Sequence, residues 1–192
     1  MPEHAWGALN RQQVGAYAEY FVKMALTLHG FQVYGTEVDD RGIDFVARYE
    51  SGPFIEIQVK SLRTKGYVFM RKDKFQPREG LYLALALLFD GLAPDIYLVP
   101  SLAWLEDESV FVSRDYEGLK SQPEWGLSLT KKSMVALEAY RLETTVHALQ
   151  AHGLSSSQSG SEHGGGAVPL APGHSPAELR EVVSSPPPRG AV

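Results

Sequence analysis

Four polar residues interrupt two stretches of this sequence that otherwise have the apolar pattern of β-strands. Asp44 lies in the first stretch, and Glu56, Gln58 and Lys60 lie in the second. Asp, Glu and Gln offer oxygen atoms that bind Mg²⁺, and a bound metal lowers the pKa of a water and stabilises charge on a phosphoryl group. A nearby Lys can orient that water or neutralise the developing charge. These residue types predict metal-assisted hydrolysis of a phosphodiester bond.

The two stretches are predicted to form a β-hairpin, because a Ser-Gly-Pro turn around Gly52 separates them. Side chains alternate between the two faces of a strand, so Glu56, Gln58 and Lys60 share one face. Counting from the turn puts Asp44 about level with Lys60, and a β-bulge would shift this register by one residue. We therefore expect the polar side chains to converge at one end of the hairpin.

A helix is predicted before the hairpin. Asn10 and Gln13 have the spacing of a capping box, and Gly30 supplies a left-handed stop. Apolar residues recur between them at steps of three and four, which indicates one buried helix face. The predicted face consists of Val14, Ala18, Phe21, Ala25 and Leu28.

The remainder of the chain predicts more strands and a closing helix. The closing helix is expected from Ser133 to about Gln150. This order of elements predicts an α/β fold with a mixed central β-sheet flanked by helices. The predicted strands cover residues 31–38, 42–50, 53–62, 67–75, 81–89, 95–101, 110–114 and 125–130.

The C-terminal segment has a different composition. Of the 40 residues from Gly153 to Val192, 21 are Gly, Ser or Pro, which predicts a disordered tail after a folded domain at 1–152. Within this tail, "SPAELREVV" has a capping box between Ser175 and Glu178. This segment is either a transient helix in a linker, the interpretation we favour, or a short helix that binds a protein partner.

Composition narrows the class of protein. The chain has a net charge of −5, 44% hydrophobic residues and no cysteine, so it has no thiolate metal site and no disulfide. Its longest apolar run, from Leu81 to Phe89, has nine residues and is too short to span a membrane as a helix. The first residues lack the apolar core of a signal peptide, and we expect a cytoplasmic protein. No histidine pair with zinc-site spacing and no P-loop occurs.

A basic cluster follows Lys60. The segment from Lys60 to Arg78 has a net charge of +6, which predicts sequence-independent affinity for phosphates. Tyr67, Phe69 and Phe75 are interleaved with it and could stack on an unpaired base, although we favour packing in the core. The residues predicted to bind nucleic acid are Arg63, Lys65, Arg71, Lys72 and Lys74.

The pattern resembles the PD-(D/E)xK nuclease superfamily, and within it the Holliday-junction-resolvase-like branch of the restriction-endonuclease-like fold. The resemblance covers residues 13 to 75. It depends on Glu19 in the helix, Asp44 in "GIDFV" and Gln58-Val59-Lys60 in "IQVKS". It implies that Asp44 and Gln58 bind Mg²⁺, which Mn²⁺ can replace, that Lys60 acts on the attacking water, and that Glu19 joins the metal shell.

Gln58 departs from the commonest motif, which has Glu or Asp at this position. A Gln oxygen can bind a metal but carries no charge, so the affinity for metal should be weaker unless Glu56 contributes.

We therefore predict a Mg²⁺-dependent endonuclease acting on DNA, with three alternatives. One is a catalytically inactive nucleic-acid-binding or interaction module, and another is an adaptor that recruits a partner through its tail. In the third, Asp44 and Lys60 form an ordinary salt bridge, and Glu19 is a solvated surface residue. Cutting two strands would favour a homodimer.

Overall fold

The computed structural model describes residues 4–35, 41–106 and 110–159. Helices and strands follow one another within these residues in an α/β order. The helices are α1 (Arg11–Leu28), α2 (Lys131–Leu137) and α3 (Leu142–Ser159). The strands are β1 (Phe31–Gly35), β2 (Phe45–Tyr49), β3 (Ile55–Leu62), β4 (Tyr67–Arg71), β5 (Leu81–Leu87), β6 (Asp95–Pro100), β7 (Phe111–Arg114) and β8 (Glu124–Ser128).

Helix α1 begins with the predicted capping box. The backbone N–H of Gln13 donates to the Asn10 side chain, and the backbone N–H of Asn10 donates to the Gln13 side chain, both at 2.9 Å. The helix stops before Gly30, which has a φ of +83°. The predicted burial of Leu28 is wrong, because Leu28 lies about 200° around the helix from the buried Leu26 and is 89% exposed. The buried residues are Val14, Ala18, Val22 and Leu26.

The central sheet has the strand order β1-β2-β3-β5-β6. The pairs β1–β2, β2–β3 and β5–β6 are antiparallel, and β3–β5 is parallel. The predicted α/β fold with a mixed central sheet flanked by helices is therefore confirmed, and so is the β2–β3 hairpin. The predicted first strand reached residue 38, and its last three residues lie outside the described part of the chain.

A second, three-stranded antiparallel sheet, β4-β8-β7, covers one face of the central sheet, an arrangement that the strand patterns did not reveal. Leu83 and Leu85 of β5 pack with Met70 of β4 in the core between the two sheets. The opposite face of the central sheet packs against α1 and α3. Ile57 of β3 lies there in one core with Val22. Two apolar layers therefore enclose β3 and β5.

The predicted single closing helix is wrong. Helix α2 ends at Leu137, a 3₁₀ turn follows, and Arg141 adopts extended geometry before α3. The cause is tertiary, because Arg141 forms a β-bridge with Tyr97 of β6 and an ion pair of 2.5 Å with Asp95. Helix α3 extends to Ser159. The rest of the predicted tail, residues 160–192, lies outside the described residues, so its predicted disorder stays a prediction.

No helix among the described residues is both long enough and apolar enough to cross a membrane.

Candidate active site

Asp44 lies immediately before β2, where pairing with β3 ends. Its backbone N–H donates to the carbonyl of Ile57 at 2.9 Å, although the register partner of Ile57 is Phe45. Asp44 and Phe45 therefore both lie opposite Ile57, and two residues opposite one define a β-bulge. The Asp44 carboxylate accepts a hydrogen bond from the backbone N–H of Val59, with 2.5 Å between Oδ2 and N. This bond holds the carboxylate beside the backbone that joins Gln58 and Lys60.

The predicted register of the hairpin is wrong by at least two residues of β3. Phe45 faces Ile57, so Asp44 is at the level of Ile57 and Gln58 rather than of Lys60. In the turn, Glu50 adopts a left-handed φ of +48°. Lys60 lies beyond the end of β2, where β3 pairs only with β5.

Gln58 has an unsatisfied polar atom. Its side chain is 8% exposed, and its Oε1 is buried without a hydrogen-bond partner. A buried carbonyl oxygen without a partner costs about 1–3 kcal/mol, so native proteins retain few of them without a reason. The Gln58 amide packs against Gly42, where a Cβ would lie 3.1 Å from Nε2. The backbone at Gly42 therefore closes over the amide.

Lys60 lies between two pockets. The β3–β4 pocket, of about 470 Å³, is lined by Gln58 and Lys60 of β3 and by Phe69 and Arg71 of β4, together with other residues. The second pocket, of about 930 Å³, extends from Lys60 toward the start of α1 and is lined by Arg11 among others. Lys60 has no hydrogen bond or ion pair within the part of the chain that the structure describes. Its ammonium group is therefore available to a ligand in either pocket.

Glu19 and Glu56 carry ion pairs of their own. Glu19 is paired with Lys23 at 2.6 Å, and the Lys23 ammonium lies 5.2 Å from the ring centroid of Phe45, the residue after Asp44. Glu56 is paired with Arg78. Neither carboxylate lines the two pockets. Their assignment to the metal shell stays a prediction.

The donor set at the end of the hairpin consists of oxygen atoms. The Asp44 carboxylate and the unpartnered Oε1 of Gln58 are ligands of the kind that Mg²⁺ accepts together with waters. Among the residues that the structure describes, no group of three His, Cys, Asp or Glu side chains comes together. These ligands suit a metal such as Mg²⁺ that keeps several waters. They are a poor match for a metal that needs nitrogen or sulfur ligands.

The predicted nucleic-acid-binding residues occupy different environments. Arg71 and Lys74 line the β3–β4 pocket, and Arg63 lines the second pocket while donating to the backbone carbonyls of Trp6 and Leu9. The charge of Arg71 is matched by Asp73 at 2.6 Å. These three cations lie on either side of Lys60, where they can act on one ligand.

The other two predicted cations lie apart from the pockets. Lys72 is bound to Asp115 at 2.5 Å and lies 4.3 Å from the ring centroid of Trp125. Lys65 is exposed in the β3–β4 loop. Sequence reasoning did not identify Arg11, because the helix that carries it precedes the basic cluster by about fifty residues and only folding brings it to Lys60.

Tyr67 lines both pockets as a neutral phenol. Its hydroxyl donates to Glu124 Oε1 at 2.6 Å, and Tyr116 donates to the same oxygen at 2.8 Å. Burial, followed by the hydrogen bond to Glu124, raises the pKa of Tyr67 well above its ordinary value. Tyr67 therefore retains its proton at neutral pH and cannot serve as a base.

Comparison with known proteins finds likenesses among solved structures. No protein-family model matches the chain, and no curated protein matches its sequence. The bacterial homing endonuclease I-Ssp6803I is similar at 16% identity with a TM-score of 0.48, covering 78% of this chain and 98% of that protein. The Holliday junction resolvase Hjc of the archaeal hyperthermophile Archaeoglobus fulgidus is similar at 12% identity with a TM-score of 0.35, covering 61% and 98%.

Both TM-scores are below 0.5, so neither likeness carries an argument about the function of this protein.

Proposed function

We propose that this protein is a metal-dependent endonuclease that hydrolyses phosphodiester bonds in DNA. The observation that carries the proposal is the hydrogen bond from Val59 N–H to the Asp44 carboxylate. This bond brings a carboxylate to the segment that carries Gln58 and Lys60, whose Oε1 and ammonium group have no partner among the described residues. Two oxygen ligands and a cation on adjacent residues are the groups that metal-assisted attack on a phosphodiester requires.

Asp44 and Gln58 would hold the metal, with Glu56 or Glu19 assisting after release from its ion pair. A bound Mg²⁺ or Mn²⁺ supplies an acidified water and charge stabilisation at the phosphate. Lys60 orients the attacking water or neutralises the charge that develops on the phosphoryl oxygens.

The two pockets hold the nucleic acid on either side of Lys60. Arg71 and Lys74 in one pocket, and Arg11 and Arg63 in the other, neutralise the flanking phosphates. This placement gives affinity that does not depend on base sequence. Lys65 adds positive charge outside the pockets, and Lys72 would do so after release from Asp115. A homodimer would allow both strands of a duplex to be cut, and the C-terminal tail would recruit a protein partner.

One observation favours a second function, nucleic-acid binding without catalysis. Within the described residues, the proposed metal site has one carboxylate at its centre, and both neighbouring carboxylates are engaged by cations. A site with so little negative charge holds Mg²⁺ weakly. The basic pockets would bind nucleic acid without it.

Cleavage of labelled single-stranded, duplex and junction DNA, and of RNA, tests the proposal in Mg²⁺, Mn²⁺ or EDTA. The native protein is compared with Lys60→Met, which retains the apolar stem and removes the charge. We expect metal-dependent cleavage that falls about 10²–10⁴-fold in the variant, the range for loss of a group that handles a proton or charge in the transition state. Salt-sensitive binding without cleavage by the native protein would instead establish the second function.

A further inference from the structure

We propose that the outer face of the three-stranded sheet binds an unpaired base of the nucleic acid next to the phosphate to be cleaved. The inference rests on the proposed function and specifies its substrate class, which is a strand with unpaired bases near the cleavage site. It depends on Tyr67 and Phe69, two aromatic residues of β4 that line the same pocket as Gln58 and Lys60.

The alternation of β4 places both rings away from the core. Val68 and Met70 are buried between the two sheets, so Tyr67 and Phe69 lie on the opposite face of the strand. Their rings are stacked at an angle of 21°, with 6.4 Å between centroids. Phe69 is 51% exposed, whereas Phe75, which the sequence grouped with it, is fully buried. Core packing was thus the correct expectation for Phe75 and the wrong one for Phe69.

Tyr67 is fixed in position by its surroundings. Its hydroxyl is bound to Glu124, and the Arg114 guanidinium lies 4.8 Å from its ring centroid. The ring crosses β8 above Gly126, where a Cβ would lie 1.8 Å from the Tyr67 hydroxyl oxygen. A glycine at this position is therefore required for the ring to lie across the strand. The result is a preorganised aromatic surface beside Phe69, which stacking on a base needs.

The charge around the rings suits a nucleotide. Arg71 and Lys74 line the pocket with the two rings, and Lys60 lies on the β3 side. An aromatic surface bordered by cations binds a base by stacking and its phosphates by charge. A paired base within a duplex stacks on its neighbours, so its faces are not accessible to Phe69. The pocket therefore selects an unpaired base.

Binding measurements in EDTA test this inference separately from cleavage. The native protein is compared with two variants of the full chain, Phe69→Ala, which removes the ring, and Phe69→Tyr, which keeps one. Each is titrated with a single-stranded oligothymidylate, with an abasic strand of the same length and charge, and with a duplex. We expect Phe69→Ala to bind oligothymidylate about tenfold more weakly, as the loss of one stacked base predicts. Phe69→Tyr should bind like the native protein, and the abasic strand should bind all three equally.

The outcomes separate the inference from the proposed function. Equal affinity of the native protein and Phe69→Ala for oligothymidylate, with cleavage intact, overturns the inference and leaves the endonuclease standing. An equal loss of affinity for the abasic strand also overturns it, since no base is present to stack. A native protein that binds none of the three nucleic acids overturns both. Because Phe69 is half exposed and lies outside both cores, Phe69→Ala should retain the fold, which its thermal unfolding will show.

Discussion

The backbone N–H of Val59 donates a hydrogen bond to the carboxylate of Asp44 at 2.5 Å, across the point where β2 leaves β3. This bond has a structural role, and the proposed function gives it a chemical role as well. It satisfies a backbone donor that would otherwise lose its partner where the ladder ends. It also holds a carboxylate next to Gln58 and Lys60, whose side chains complete the candidate site.

Substitutions of Asp44 should separate these two roles. Asp44→Asn retains an acceptor for Val59 N–H and loses the charge, so the free energy of unfolding should change little while cleavage falls by about a hundredfold or more. Asp44→Ala also removes the acceptor and should destabilise the fold by about 1–3 kcal/mol. Urea denaturation and cleavage rates measure the two effects. Cleavage by Asp44→Asn at the native rate would exclude this carboxylate from the metal site.

Gln58→Met should make the protein more stable and less active. Met has a similar shape and lacks the buried carbonyl oxygen that has no partner in the native protein. Removing that oxygen should raise the free energy of unfolding by about 1 kcal/mol, and cleavage should be lost because a metal ligand is removed. Thermal unfolding and cleavage assays of the same preparation test the pair of effects. A less stable Gln58→Met protein would show that Oε1 has a partner in solution.

Gln58→Glu should lower the concentration of Mg²⁺ needed for cleavage. The substitution places a second carboxylate beside Asp44, and ligand charge increases the affinity for Mg²⁺. Titration of cleavage rate with Mg²⁺ measures the half-saturating concentration, with Glu56→Gln as a matched variant that removes charge two residues away. An unchanged half-saturating concentration in Gln58→Glu would mean that residue 58 does not touch the metal.

In Tyr67→Phe, the free energy of unfolding should fall less steeply with rising pH above neutrality than in the native protein. Burial and the bond to Glu124 raise the pKa of Tyr67 in the folded protein above the unfolded value near 10.0. Above that pH the unfolded chain loses a proton that the folded chain retains, so the free energy of unfolding falls as pH rises. The variant cannot titrate and lacks this contribution. Urea denaturation between pH 8 and about 11 measures the slopes, and parallel curves for both proteins would contradict the prediction.

Gly126→Ala should disturb the aromatic surface without touching the metal site. The added Cβ would lie 1.8 Å from the Tyr67 hydroxyl oxygen, so the ring must move and its bond to Glu124 must break. We expect a loss of about 1–3 kcal/mol in the free energy of unfolding, the range for overpacking. The double variant with Tyr67→Ala should recover part of it. Equal destabilisation by Gly126→Ala in both backgrounds would show that the clash is with other atoms.

Local patterns predicted much of the fold because their causes are local. The capping box at Asn10 forms between residues three apart in the chain, and strand alternation is a property of each strand. The closing helix was mispredicted, since the ion pair of Arg141 with Asp95 joins residues 46 apart in sequence. The helical pattern of apolar residues on either side of Arg141 does not predict that contact.

The chemistry of the site residues, and the strand that carries two of them, follow from the order of amino acids alone. Gln58 and Lys60 share a face because side chains alternate along any strand. The level of Asp44 depends on how β2 pairs with β3, where Phe45 lies opposite Ile57 and Asp44 N–H also donates to the Ile57 carbonyl. Tertiary structure also decided that Phe69 is exposed while Phe75 is buried. The exposure of each phenylalanine depends on its position relative to the core between the two sheets. Long-range packing sets that position, and the neighbouring residues in the chain do not.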